Sequence, residues 1–110
     1  MMLVIAINDR FADGTDVSWL WDVDFEILAD RSLSILCTGL RAHDMALRLK
    51  YAGIAGGCVD IEESVPRSVD RAVRAASTGD RVVICPTYTA LLEVRAELAR
   101  RRVVSPFWED

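Results

Sequence analysis

Four short apolar runs, at residues 3–7, 33–37, 57–61 and 82–85, have strand length and β-branched content, and helical patterns separate the later ones. This alternation is the feature that most limits what the chain can become. Strands alternating with helices imply an α/β domain with a parallel sheet. The near-continuous apolar character of the first and last runs fits strands covered on both faces.

The helices are legible from their stripes. Over residues 40–52, Ala42, Met45, Ala46 and Leu49 share one face, Arg41, Asp44 and Arg48 lie opposite, and Gly53 supplies a stop. Ser64 and Pro66 start a second helix with a stripe of Val69, Ala72, Val73 and Ala76, and Gly79 ends it. Thr87 or Thr89 caps a third, which turns Leu91, Val94 and Leu98 inward. Arg100, Arg101 and Arg102 there complement the helix dipole. The tail at Phe107 and Trp108 is expected to pack back on the body.

Residues 16–28 resist a single reading. Trp19, Trp21, Val23, Phe25 and Ile27 alternate with Asp22, Asp24 and Glu26 as a strand would, whereas an Asp16 cap would start a helix. On a helical wheel Val17, Leu20, Trp21 and Leu28 share a face with Asp24, while Asp22 and Glu26 lie on the other side with Trp19. The favoured reading is a short helix to about Asp22 followed by extended chain. Asp22 points away from the core in either case.

Charge narrows the function. The formal net charge is -4, from 17 acidic and 13 basic residues, which argues against a nucleic-acid binder. Asp9, Asp13, Asp16, Asp22, Asp24 and Glu26 face only Arg10 within the first 26 positions. No run approaches the roughly 20 apolar residues of a membrane span, and residues 1–7 lack the features of a signal peptide, so a cytoplasmic protein without membrane insertion is expected. Cys37, Cys58 and Cys85 lie in or beside apolar runs without CxxC spacing, which predicts buried reduced thiols and no zinc site.

Candidate chemistry is sparse. The segment Asn8–Asp16 follows the first strand, where α/β folds present functional loops, but a polar turn with a helix cap needs the same residues. His43 reads as an exposed surface histidine, because no Cys or Ser stands at a spacing that suggests a catalytic pair. Arg41 and Arg48 read as partners in helix salt bridges more readily than as an anion clamp. Trp19 and Trp21 suit a core edge or an interface equally. There is no GxxxxGK[ST] loop, and Lys50 is the only lysine.

The stretches LVIAINDRFADGTDVSWLWDVDFE (residues 3–26), GLRAHDMALRLKYAG (39–53), PTYTALLEVRAEL (86–98) and FWE (107–109) resemble, in order and spacing, the MurT ligase C-terminal domain family. The resemblance implies a three-layer Rossmann-like domain with a mainly parallel sheet, as in Mur ligase C-terminal domains, over residues 1–110. It also implies a fragment of a ligase subunit whose central ATP-binding domain is absent, although the Met1-Met2 start is compatible with an independently encoded domain.

In function, the resemblance implies amidation of the D-glutamate α-carboxylate in the lipid II stem peptide, with ATP and magnesium used by the full-length ligase and no cofactor held by this domain. Ammonia would come from a GatD-type glutamine amidotransferase partner, whose Cys-His pair is completed by an aspartate from this domain. Asp22 is the expected donor, with Asp24 as runner-up and Asp16 as a cap. A flavodoxin-like or receiver-like module lacks its own signature here. A non-catalytic interaction or scaffolding module, anchored on Trp19 and Trp21, is the competing expectation.

Overall fold

The computed structural model describes residues 1–101; Arg102, Phe107 and Trp108, and the expectations placed on them, lie outside the described residues. Four strands, β1 (Met2–Ala6), β2 (Ser34–Thr38), β3 (Val59–Ile61) and β4 (Val82–Pro86), form one parallel sheet in the order β3-β2-β1-β4. In register, Ile5 of β1 lies between Cys37 of β2 and Cys85 of β4. This is the doubly wound arrangement, with the direction of winding reversing between β1 and β4.

Three helices, α1 (Ala42–Tyr51), α2 (Val65–Ser77) and α3 (Tyr88–Arg100), complete two outer layers. Alternation along β1 divides the core. Leu3, Ile5 and Ile7 join Ile35, Cys37, Met45 and Leu49 under α1, whereas Met2 and Val4 meet Leu36 and Ala72 under α2. Val65 and Val69 of α2 then pack on Val94 of α3. The three-layer α/β expectation therefore holds.

Central β1 is buried along its whole length, as its apolar run predicts, but β4 is only half-buried and Cys85 is exposed. Among the described residues β4 pairs only with β1, and no helix covers its face on the α1 side, so the expectation of two covered faces fails there. The thiol expectation fails for the same reason at Cys85, and also at Cys58, which sits exposed in a short 3-10 turn. Cys37 alone is buried, and burial pushes its thiol up to about 12.

Helix α2 starts and stops where its signals lie. The Ser64 hydroxyl accepts the Arg67 N–H at 3.3 Å, Pro66 stands in the first turn, and Gly79 follows with a φ of 92°. Val69 and Ala72 are buried, and Ala75 rather than Ala76 continues the stripe toward the sheet. In α3, Val94 is buried but Leu91 is exposed, because Ala90 and Glu97 share the inward face with it. Arg100 and Arg101 pair with Glu97, and Arg101 also reaches Asp70 of α2 at 3.0 Å.

The connection from β1 to β2 contains no α-helix. Three 3-10 turns, Phe11–Asp13, Ser18–Trp21 and Phe25–Leu28, carry the chain down the α1 side of the sheet. The short helix expected to end near Asp22 is thus a single 3-10 turn, and the extended chain expected after it is another. Aspartates that favour turns, together with β-branched Val17, Val23 and Ile27, give this stretch poor helix propensity. Asp16 accepts the Ser18 N–H at 2.9 Å in a local turn, but Val17 rather than Asp16 stands at the cap position of the second turn.

Candidate functional site

At the carboxyl ends of β1 and β4, where such sheets usually hold ligands, the crevice is closed by the protein's own side chains. Asn8 is buried, and its backbone N–H and both side-chain polar atoms are used. Its N–H donates to Thr87 Oγ1 (2.9 Å), its Nδ2 to Thr89 Oγ1 (3.0 Å) and Glu93 Oε1 (3.1 Å), and its Oδ1 accepts the Leu40 N–H (3.0 Å). Asp13 accepts the Thr89 N–H at 2.6 Å and also the Thr89 hydroxyl.

Asp13 therefore occupies the start of α3, where a phosphate would sit, and takes the capping role expected of Thr87 or Thr89. Burial pushes its carboxyl up, but hydrogen bonds from Thr89, Arg10 and Thr87 outweigh this and hold it below the ordinary carboxylate range. With two carboxylates already present at Asp13 and Glu93, the crevice does not fit a nucleotide phosphate. No cluster of three metal-ligating side chains occurs among the described residues.

The acids expected to act lie on the β1–β2 connection. Val17 and Leu20 bury themselves in the core under α1, which leaves Trp21, Asp22, Val23 and Asp24 at the surface. Asp22 closes the second 3-10 turn, its N–H bonded to the Trp19 carbonyl at 3.0 Å. Neither Asp22 nor Asp24 has a side-chain hydrogen bond or ion pair among the described residues. Asp22 thus points away from the core, as the sequence implied. Asp24 stands on the rim of an apolar groove of about 470 Å³ between this connection and β4, lined by Trp19, Phe25, Ile27 and Cys85.

Arg48 was expected on the polar face of its helix, yet it is 4% exposed. Its Nε donates to the Leu20 carbonyl at 2.8 Å, and its Nη2 to the Val23 carbonyl and Glu26 Oε1, each at 2.7 Å. The guanidinium carbon lies 5.3 Å from the Trp21 ring centre and 5.4 Å from that of Phe25. The hydrogen bond from Arg48 holds the Glu26 carboxyl below its usual range. Position 48 falls three residues after Met45 and four before Ala52, on the border of the apolar stripe, and that border position was the available signal.

The remaining candidates disperse. Arg41 pairs with Asp9 (3.5 Å) and Asp44 (3.4 Å), so it forms salt bridges and shares no clamp with Arg48. His43 is exposed, with Nε2 2.6 Å from Glu63 Oε1. Trp19 and Trp21 are 38% and 51% exposed, which places them at the edge of the core with part of each ring open to solvent.

Together these features define a Rossmann-like α/β domain that fills its own ligand crevice and presents unpaired acids and tryptophans on a helix-free connection. The chain belongs to the MurT ligase C-terminal family, which it matches over residues 1–91. It is similar to the lipid II isoglutaminyl synthase (glutamine-hydrolyzing) subunit MurT of Staphylococcus aureus strains COL and N315, at 39% identity over 103 residues, covering 88% of this chain and 22% of each relative. The protein of the same name from Streptococcus pneumoniae (strain ATCC BAA-255 / R6) is 32% identical over 105 residues, covering 93% of this chain and 23% of the relative. The chain thus spans less than a quarter of the length of these relatives. No helix among its described residues is long and apolar enough to cross a membrane.

Proposed function

We propose that this domain serves a cytoplasmic ATP-dependent, glutamine-hydrolysing ligase that amidates the D-glutamate α-carboxylate of the lipid II stem peptide to D-isoglutamine. Its own part is to lend the Asp22 carboxylate to the Cys-His pair of a GatD-type glutaminase partner. The observation that carries this reading is that Asp22 is exposed, and without a side-chain partner among the described residues, on a segment pinned to the body on either side of it. Family membership and the names of the relatives, which specify glutamine hydrolysis and a subunit, support it.

In the proposed site the partner's cysteine attacks the glutamine carboxamide, its histidine takes the thiol proton and returns it to the departing ammonia, and water then hydrolyses the resulting thioester to release glutamate and regenerate the thiol. A carboxylate on the far ring nitrogen fixes the imidazole tautomer and stabilises its cation. Ammonia then attacks the substrate carboxylate that the rest of the ligase would have activated, with ATP and magnesium, as an acyl phosphate, and inorganic phosphate leaves as the amide forms. No residue of this domain is assigned to that half. Glutamine hydrolysis by the assembled pair, with and without Asp22→Asn, tests the assignment.

The competing reading, a non-catalytic interaction or scaffolding module, draws on the exposed Trp19, Trp21, Val23 and Ile27. It expects Asp22→Asn either to weaken assembly or to have no effect. The catalytic reading expects an intact complex with little glutaminase.

A further inference from the structure

The β1–β2 connection has no helix or sheet ladder to hold it. Its backbone bonds are local, as from Leu20 to Val17 and from Asp22 to Trp19, and these shape each turn without fixing where the turns stand. Asp13 ties the first turn to Thr89, while the second and third turns are placed by the burial of Val17 and Leu20, the packing of Phe25 and Leu28 on the same core, and the reach of Arg48 out of α1. The three acceptors on Arg48, at Leu20, Val23 and Glu26, bracket Asp22 and Asp24.

Helix α1 is a firm base for that reach, because Met45 and Leu49 are wholly buried against the sheet. A guanidinium presents five N–H groups in one plane, so one side chain can serve two carbonyls and a carboxylate at once, and the flanking Trp21 and Phe25 rings limit its tilt. Lysine offers its three donors from a single point and cannot reproduce the fork. A charge so thoroughly buried persists only with such partners.

We propose that Arg48 is the positioning residue that fixes the Asp22 carboxylate for use by the partner's imidazole, a proposal that rests on the reading of Asp22 given above. A shared catalytic group works only within about 0.5 Å of its productive place. Asp22 has no side-chain partner among the described residues, while Arg48 holds the backbone around it.

The test is a double-mutant cycle in the full-length ligase subunit carrying this domain, assembled with its glutaminase partner. Arg48→Lys is expected to lower kcat for glutamine hydrolysis about 10-fold to 100-fold, the scale of a misplacement near 1 Å. The KM for glutamine and amidation supported by added ammonia should stay within about 2-fold. In the Asp22→Asn background, Arg48→Lys should cost less than about a further 2-fold, because residues acting as a unit are not additive. Glu26→Gln removes only the exposed anchor and serves if Arg48→Lys assembles poorly; it should give a smaller loss with the same non-additivity.

Normal kcat in both Arg48→Lys and Glu26→Gln, with Asp22→Asn inactive, would overturn the role of Arg48 and leave that of Asp22 standing. Multiplicative losses in the double variant, or an equal loss of ammonia-supported amidation, would reduce Arg48 to a general structural residue and also overturn the proposal. An Asp22→Asn enzyme with full glutaminase would remove both.

Discussion

Asp13 accepts the backbone N–H of Thr89 at 2.6 Å, so a carboxylate from the loop after β1 closes the first turn of a helix 76 residues further along the chain. The bond ties the carboxyl ends of β1 and β4 together at the point where the winding of the sheet reverses. It also makes part of the domain's stability depend on one ionised carboxyl.

The sign of that dependence follows from the depressed Asp13 carboxyl. A group whose folded value lies below its unfolded value of 3.8 contributes stability at all pH above 3.8, and loses it as pH falls through the folded value. Asp13→Asn should therefore melt at a lower temperature than the parent at about pH 6, and the two should converge toward about pH 2. Parallel melting curves recorded across that range check this, and a constant gap would contradict it.

Asp22→Asn should lower glutamine hydrolysis by the assembled pair roughly 10² to 10³-fold, with assembly intact. The loss is smaller than the approximately 10⁴ seen for Asp to Asn in the Ser-His-Asp proteases, because a thiolate needs less help from its base. Added ammonia should restore amidation. Asp24→Asn should retain more activity, and a reversed order would move the donor by two positions.

A thiol reagent at neutral pH should label two of the three cysteines in the native protein. Cys58 and Cys85 are exposed, whereas Cys37 is wholly buried with its thiol at about 12. The third equivalent should react only on addition of denaturant. Labelling at Cys85 should also slow when an apolar probe occupies the groove that it lines.

Gly39 and Gly79 share a φ of 92°, yet a Cβ at Gly39 would meet the Ile7 carbonyl oxygen at 2.6 Å and Asn8 Oδ1 at 2.8 Å, while one at Gly79 meets nothing. Gly79→Ala should cost about 1–2 kcal/mol, from backbone conformation alone. Gly39→Ala should cost about 3 kcal/mol or more, because it also displaces β1 and disturbs the Asn8 hydrogen bonds. Urea midpoints for the two variants compare them directly.

The sheet and helices were legible because their signals are local: β-branched runs, a Ser-Pro start, and stripes at helical spacing. The connection was not, since alternation of Trp19 and Trp21 with Asp22 and Asp24 satisfies a strand pattern while the residues form two 3-10 turns. Tertiary partners decided it. Arg48 was assigned to solvent because charge outweighs border position in any sequence rule, and only the carbonyls of Leu20 and Val23 explain its burial. The exposure of Cys85 depended on β4 lying at the end of the strand order among the described residues, which no local pattern encodes. Asp22 was legible as an outward acid, but its lack of a side-chain partner among the described residues was not.

Both tryptophans among the described residues, Trp19 and Trp21, sit on this one connection, partly exposed, with the Arg48 cation 5.3 Å from one ring and Tyr51 5.7 Å away. In a Trp108→Phe variant the indole emission therefore reports the segment that carries Asp22, with Trp19 facing the groove shared with Leu3, Ile5 and Cys85. A shift in wavelength or in acrylamide quenching on mixing with a tryptophan-free glutaminase would register docking at this segment in real time. The same emission followed through denaturation would register the detachment of the connection, so a fluorescence midpoint below the circular-dichroism midpoint would measure how far that segment comes loose before the fold does.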